Sequence, residues 1–234
     1  CELDLQATGV NVPEEGDLEF NNVSFRYEGS NKDQLSNISF NIKKGETLAI
    51  LGSTGSGKST LVNLIPRFYD VTEGSIKIGG KDIREIDRKS LQDSVGIVMQ
   101  NTVLFSGSIA DNMRMGKEDA TEEEMIDALK KADIADFVLS LPDGLNHNIE
   151  QDATSISGGQ RQLISIARTL ISEPDILILD DSLSAVDLIT ESKIRKALNK
   201  LKMTKIIIAQ RISSIKDANK ILMIEDGKML CYGS

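Results

Sequence analysis

The octapeptide Gly52-Ser53-Thr54-Gly55-Ser56-Gly57-Lys58-Ser59 follows a short apolar run, Thr47–Leu51, and leads into a helical pattern over Ser59–Phe68. Its spacing is G-x-x-x-x-G-K-[ST], set between a strand and a helix. Each residue type in it has a physical task. The glycines let the backbone curl so that successive N–H groups point inward at phosphate oxygens. A helix beginning near Lys58 adds the positive end of its dipole. The Lys58 ammonium is placed to neutralise β- and γ-phosphates, and the Ser59 hydroxyl to ligate Mg²⁺. A merely flexible glycine-rich turn is the ordinary alternative, and the flanking strand and helix weigh against it. By itself the loop specifies a nucleotide and leaves open which machine uses it.

Upstream of the loop the chain reads as strands: Leu18–Arg26 and Ile38–Ile42 alternate, and Thr47–Leu51 is a buried run. Downstream, Ser75–Ile78 and Lys81–Ile83 form a hairpin pattern turned by Gly79-Gly80, and Val95–Met99 is a further strand. Between Ile109 and Leu141 the pattern becomes helical and acidic, with Thr121-Glu122-Glu123-Glu124 as a capping box. Pro142-Asp143-Gly144 closes that section with turn chemistry, and the only histidine, His147, falls in the polar loop beyond it. A helix over Gly158–Ile171 carries Leu163, Ile166, Ala167, Leu170 and Ile171 on one face, and Pro174 stops it. Strand Ile176–Leu179, helix Ile189–Leu201 and strand Ile206–Ala209 make βαβ units, which require a parallel sheet. Ile221–Ile224 and Lys228–Cys231 then flank a turn at Asp226-Gly227. The expected layout is a parallel α/β core over about 17–100 and 157–234, an N-terminal antiparallel β subdomain, and a helical subdomain over about 101–156.

Composition narrows the function classes. The 234 residues are 40% hydrophobic and 27% charged, enough for a buried core in one large domain. The net charge of -9 argues against nucleic acid, whose backbone calls for a basic face. No apolar run approaches the roughly 20 residues of a membrane-spanning helix. The chain opens on Cys1 and stops at Tyr232-Gly233-Ser234, just after a strand pattern, so it is expected to be a fragment of a longer protein. The two cysteines, Cys1 and Cys231, are too few for a stapled secreted domain, which points to a reducing compartment.

A second glycine pair, Ser157-Gly158-Gly159-Gln160, opens the striped helix and exposes amides at its start. Ser157 as an ordinary helix cap is the competing explanation. Ile156-Ser157-Gly158-Gly159-Gln160 resembles the LSGGQ signature of ATP-binding-cassette proteins, and other elements of that family follow in order across nearly the whole chain. Tyr27 resembles the aromatic that stacks on adenine. Gln100 resembles the glutamine that touches Mg²⁺ and senses the membrane domain. Ile176–Leu179 followed by Asp180 resembles Walker B, whose aspartate holds Mg²⁺. Ser184-Ala185-Val186-Asp187 resembles the D-loop, which crosses a dimer interface. Asn101–Asn112 looks like the exporter type of the family, and Glu150 like an exporter contact segment, although Gln151-Asp152-Ala153 replace the glycines usual there.

The resemblance implies a P-loop NTPase with a RecA-like parallel core, acting as the nucleotide-binding domain of an exporter at the cytoplasmic face of the membrane. ATP and Mg²⁺ would be held by Tyr27, by Gly52, Ser53, Thr54, Gly55, Ser56, Gly57, Lys58, Ser59 and Thr60, and by Gln100 and Asp180. Ser157, Gly158, Gly159 and Gln160 would cap the ATP of a second nucleotide-binding domain. The chain's own and the partner's transmembrane domains would complete the machine. In two places the chain departs from the family pattern: Asp181 stands where hydrolysing members carry Glu, and Gln210 where they carry His. Both changes weaken the same chemical step, so this site is expected to be slow and the partner to be non-identical, with Glu and His at its matching positions. Three roles fit these residues: an ATPase module acting mainly through its partner's site, a non-hydrolytic ATP-binding regulatory subunit, or a soluble cassette ATPase.

Overall fold

The computed structural model describes residues 9–13, 16–99, 104–149, 156–180, 187–209 and 215–234. In chain order the strands and helices are β1 (Leu18–Phe25), β2 (Leu35–Ile42), β3 (Thr47–Leu51), α1 (Lys58–Asn63), β4 (Glu73–Ile78), β5 (Lys81–Asp82), α2 (Arg88–Asp93) and β6 (Val95–Met99). They continue as β7 (Gly107–Ser108), α3 (Ile109–Arg114), α4 (Glu122–Lys131), α5 (Ala135–Ser140), β8 (Asn148–Ile149) and α6 (Gly158–Leu170). The last are β9 (Ile176–Asp180), α7 (Leu188–Asn199), β10 (Thr204–Ile208), β11 (Lys220–Glu225) and β12 (Lys228–Gly233). The chain folds as two compact units, one of Cys1–Val95, Asp175–Ile178 and Met203–Ser234, the other of Gly96–Pro174 and Leu179–Lys202.

In the first unit, β2-β1-β4-β5 form an antiparallel sheet. Leu18 and Phe20 of β1 face inward, as do Val23 and Phe25, so the inward phase shifts by one residue between the two pairs. A bulge at Asn21-Asn22, with Asn22 in the left-handed region at φ 50, absorbs the shift. It returns the end of β1 to the buried face. Phe20 stacks on its cross-strand neighbour Phe40, centroids 4.4 Å apart, and each such buried ring contributes roughly 1.5–3 kcal/mol of transfer free energy.

The larger sheet has the order β12-β11-β3-β10-β9-β6. Strand β3 pairs in parallel with both β10 and β11, which gives the crossover topology that the βαβ pattern requires. Its residues Leu48, Ala49 and Ile50 are completely buried, as expected of a strand covered on both faces. Strand β12 adds antiparallel at the edge.

Helix α1 ends at Asn63, short of the expected Phe68. Pro66 has no N–H to continue the ladder and disfavours helical backbone at Ile65. The chain tightens instead through Leu64 N–H to Leu61 O and Ile65 N–H to Val62 O, and turns sharply at Arg67, φ 56. Helix α2, absent from the expected layout, is capped by Asp87, whose carboxylate accepts from Ser90 N–H at 2.8 Å.

In the second unit the acidic helical stretch is three short helices, α3 to α5, and Pro142-Asp143-Gly144 leads into a 3-10 turn at Gly144–Asn146. Thr121 and Glu124 form the expected capping box. All five residues of the expected stripe on α6 are buried, and the helix packs against α3 and α4. Among the described residues, no helix is long and apolar enough to cross a membrane.

Candidate functional site

The phosphate loop leaves β3 at Gly52 because only glycine fits there. A Cβ at Gly52 would lie 2.1 Å from the Ile224 carbonyl oxygen and 2.6 Å from Ser56 Oγ. Gly57 closes the loop at φ 107, a conformation that side chains resist, and a Cβ there would meet Leu35 at 2.8 Å. The turn after β11 braces the loop from outside, Gly227 N–H donating to Ser56 O at 2.9 Å.

Inside this frame the Lys58 side chain folds back along the loop. Its ammonium donates to Gly52 O at 2.9 Å, to Ser53 O at 2.6 Å and to Ser56 Oγ at 3.4 Å. Burying an ammonium is costly unless oxygens surround it, and the loop supplies them. The charge is thus held at the centre of the curl with the residue only 9% exposed. Thr54 and Gly55 at the crest and Ser59 in the first turn of α1 remain exposed, and α1 starts on Gly57 with no side-chain cap. One donor pair already meets an anion: Glu225 accepts from Ser53 Oγ at 2.6 Å and, more weakly, from Ser53 N–H at 3.4 Å. Sequence reading did not find Glu225, which lies 172 positions from Ser53.

Tyr27 stands just past the end of β1, with 36% of its surface exposed. Its hydroxyl shares a hydrogen bond with Thr60 Oγ1 at 3.0 Å, so the aromatic expected to carry adenine is joined to the helix that follows the phosphate loop. Phe25 and Tyr69 stand nearly perpendicular to its ring, at 4.8 and 5.3 Å between centroids. Neither Tyr69 nor the Thr60 bond is signalled by any local pattern.

The second glycine pair lies in the second unit, at the start of α6. Ser157 accepts from Gln160 N–H at 3.2 Å while the Gln160 side chain accepts from Ser157 N–H at 2.8 Å. The cap and the expected signature are therefore the same residues. Asp180, partly exposed, ends β9. Asp187 caps α7, accepting from the N–H groups of Ile189 and Thr190 at 3.0 Å each and from the Thr190 hydroxyl at 2.6 Å. The Thr190 hydroxyl and amide bonds hold its carboxyl below the ordinary aspartate range. Buried Asn112 pins the segment before α3, accepting from Phe105 N–H and donating to Phe105 O and Ser108 O at 2.9–3.0 Å. Phe105 itself is exposed, with the Arg168 guanidinium 5.9 Å from its centroid, and burial pushes the Arg168 pKa down. Gln100, Glu150, Asp181, Ser184 to Val186 and Gln210 lie outside the described residues.

Among the described residues, no group of three or more His, Cys, Asp or Glu side chains could hold a metal ion. Ser59 is exposed in the first turn of α1 in the first unit, and Asp180 is partly exposed at the end of β9 in the second.

Residues 35–184 match the family described as ABC transporter. The chain is 45% identical over 221 residues to the putative multidrug export ATP-binding/permease protein YgaD of Bacillus subtilis, covering 94% of this chain and 38% of that protein. It is 46% identical over 219 residues to the uncharacterized ABC transporter ATP-binding protein YfiB of the same organism, with the same coverages. A putative multidrug export ATP-binding/permease protein of Staphylococcus aureus is 43% identical over 222 residues. The chain thus spans 38% of the length of these curated relatives. Among solved structures, a bacterial Atm1-family ABC exporter with ATP bound superposes with a TM-score of 0.90 at 37% identity, covering 99% of this chain and 41% of that one. The chain belongs to the ABC transporter family, as a nucleotide-binding domain.

Proposed function

We propose that this domain binds MgATP at its phosphate loop, pairs head to tail with a second nucleotide-binding domain, and powers export through membrane domains outside the sequence described. The observation that carries the proposal is the Lys58 ammonium, held by loop oxygens beneath an uncapped helix start. The relatives named as ATP-binding/permease proteins, and the similar exporter solved with ATP bound, support a transporter over a soluble cassette ATPase.

In this scheme the loop amides of Gly52 to Thr60 and the Lys58 ammonium bind the triphosphate tail, and Tyr27 stacks on adenine. Ser59, Gln100 and Asp180 would hold Mg²⁺, which neutralises charge on the β- and γ-phosphates. Ser157 to Gln160 present their glycine amides to the ATP held by the partner. Closing the lid therefore takes two polypeptides, and the two sites of the pair differ.

The chain's own site is the slow one. Asp181 is one methylene shorter than the glutamate of hydrolysing relatives, withdrawing the carboxylate by roughly one bond, ~1.5 Å. A general base works at about 2.6–3.2 Å, and ~1 Å of misplacement costs about 10²-fold. That corresponds to about 2.7 kcal/mol of barrier. Gln210 donates a hydrogen bond to a γ-phosphate but neither becomes cationic nor shuttles a proton. Binding stays intact because the loop, Ser59 and Asp180 are unchanged, and the unaltered signature completes the active site of a non-identical partner. A strictly non-hydrolytic, regulatory role is the second reading, favoured by the same two residues; phosphate release by this chain alone and mixed with its partner separates the two.

The test is restoration. With the partner's own site silenced, Asp181→Glu combined with Gln210→His should raise phosphate release by the assembled pair by on the order of 10²-fold. An unchanged rate would rule out the degenerate-site assignment.

A further inference from the structure

We infer that Tyr69 is a positioning residue for the base platform, and that the Tyr27–Thr60 hydrogen bond latches that platform to the phosphate-loop helix. The inference rests on the reading of residues 52–60 as the ATP site.

Three features hold Tyr69 in place. The sharp turn at Arg67, φ 56, is tied by a two-point ion pair to Asp70, Nε to Oδ1 at 2.6 Å and Nη2 to Oδ2 at 3.3 Å, so the pair brackets Tyr69. Just beyond, Thr72 N–H donates to Ser24 O at 2.9 Å, and Thr72 Oγ1 accepts from Arg26 N–H at 3.0 Å. These bonds fasten the segment carrying Tyr69 alongside the end of β1, which carries Tyr27. The rings then meet in a closed set: Phe25 with Tyr27 at 82°, Tyr27 with Tyr69 at 88°, and Phe25 with Tyr69 at 47°, centroids 4.8–5.5 Å apart.

A lone tyrosine past a strand end would sample several χ1 wells, and ordering it would subtract from whatever stacking returned. Here the edge-to-face partners fix the ring plane, and the Thr60 bond fixes how far the ring tip lies from the helix that follows the phosphate loop. A base and a triphosphate tail are covalently joined at a set separation, so a platform held at a set distance from the loop binds both ends without reorganising. That is preorganisation, and it predicts that Tyr69 contributes to nucleotide affinity only through the base.

The experiment compares Kd for MgATP with Kd for magnesium tripolyphosphate, which has no base, by calorimetry on the full chain. The ratio of the tripolyphosphate Kd to the MgATP Kd reports what the nucleoside adds. Tyr69→Ala should lower that ratio about fivefold, the size of one aromatic pair, while Tyr69→Phe restores it. Tyr27→Phe and Thr60→Val should each lower it about threefold, and the double variant no further, because one bond is lost once. A ratio unmoved by Tyr69→Ala, or lowered equally by Tyr69→Phe, overturns the positioning role; additive losses in the double variant overturn the latch. Should Tyr69→Ala bind neither ligand, Tyr69→Leu replaces it, filling volume without a ring. Tripolyphosphate binding that survives Lys58→Ala would instead overturn the phosphate-loop reading itself.

Discussion

Helix α1 starts on Gly57 at φ 107 and has no side-chain cap, whereas helix α6 starts on Ser157 in an extended conformation and closes a complete capping box with Gln160. Both starts follow or contain glycine, yet their surroundings are opposite. Two of the three glycines before α1 are wedged against the chain itself: the Ile224 carbonyl blocks any Cβ at Gly52, and Leu35 and Gln34 crowd Gly57, while Gly55 is set apart by its left-handed φ of 80. At Gly158 a Cβ would meet nothing within 4 Å. Glycine is thus demanded by the fold at α1 but tolerated by the fold at α6. A glycine that its own chain does not need has its reason elsewhere, and a partner's phosphate approaching the bare backbone is such a reason. On the proposed function, the comparison sets a site that one chain builds against half a site that a partner would complete.

The largest test of that contrast is at the charge. Lys58→Ala should weaken MgATP binding by on the order of 10²-fold, since hydrogen bonds from a charged donor contribute about 1.5–3 kcal/mol each. Equilibrium binding of a fluorescent ATP analogue checks it, and retention of affinity near the wild-type value would break the assignment of the loop.

Next come the glycines themselves. Gly52→Ala forces the loop away from the Ile224 carbonyl and should lower both thermal stability and MgATP binding, because the clash at 2.1 Å is with backbone. Gly158→Ala should leave the melting temperature within a degree or two and MgATP binding by this chain unchanged. Only phosphate release by the assembled pair should fall. Were Gly158→Ala to weaken nucleotide binding by the isolated chain, the division between a built site and a half-site would fail.

The same contrast explains how much of the molecule could be read from its sequence. The phosphate loop was legible because its geometry is encoded in consecutive residues, and the start of α6 because Ser157 and Gln160 close a capping box within four residues. The strands were legible from alternation and from apolar runs such as Ile206–Ile208, and the α6 stripe from its period. Ends were less so. Helix α1 stops where Pro66 and the Arg67 turn take over, and α2 hangs on a single cap, Asp87. What stayed hidden depends on approach between distant segments. Glu225 reaches Ser53 from the end of β11, and Tyr69 reaches Tyr27 through backbone bonds at Ser24 and Arg26. No local pattern encodes such meetings.

A smaller effect is expected from the cap at Ser157, which the proposed function also makes part of the signature. Ser157→Ala removes the acceptor for Gln160 N–H and should cost about 1 kcal/mol of stability, read as a lowered denaturation midpoint. Ser157→Asp restores a capping oxygen and should recover the stability. It also adds a negative charge where a partner's phosphate is expected, so phosphate release by the pair should not recover with it. Recovery of both would mean that Ser157 is a cap and nothing more.

The smallest expected effect lies at the start of α7, where one residue caps the helix and is proposed to meet a partner. The Thr190 hydroxyl and the amides of Thr190 and Ile189 hold the folded Asp187 carboxyl below its ordinary value of 3.8. The unfolded chain therefore binds this proton more readily than the folded one. The stability it contributes is fully present above pH 3.8 and disappears as pH falls through the lower, folded value. Asparagine caps nearly as well but carries no charge to titrate. Denaturation midpoints of the wild type and Asp187→Asn should therefore differ by a small constant amount from pH 7 down to about pH 5, then converge below pH 3.8. A gap that persists unchanged to the acid limit would show that the carboxylate charge does not stabilise this helix start, leaving contact across a dimer as the reason for aspartate at this position.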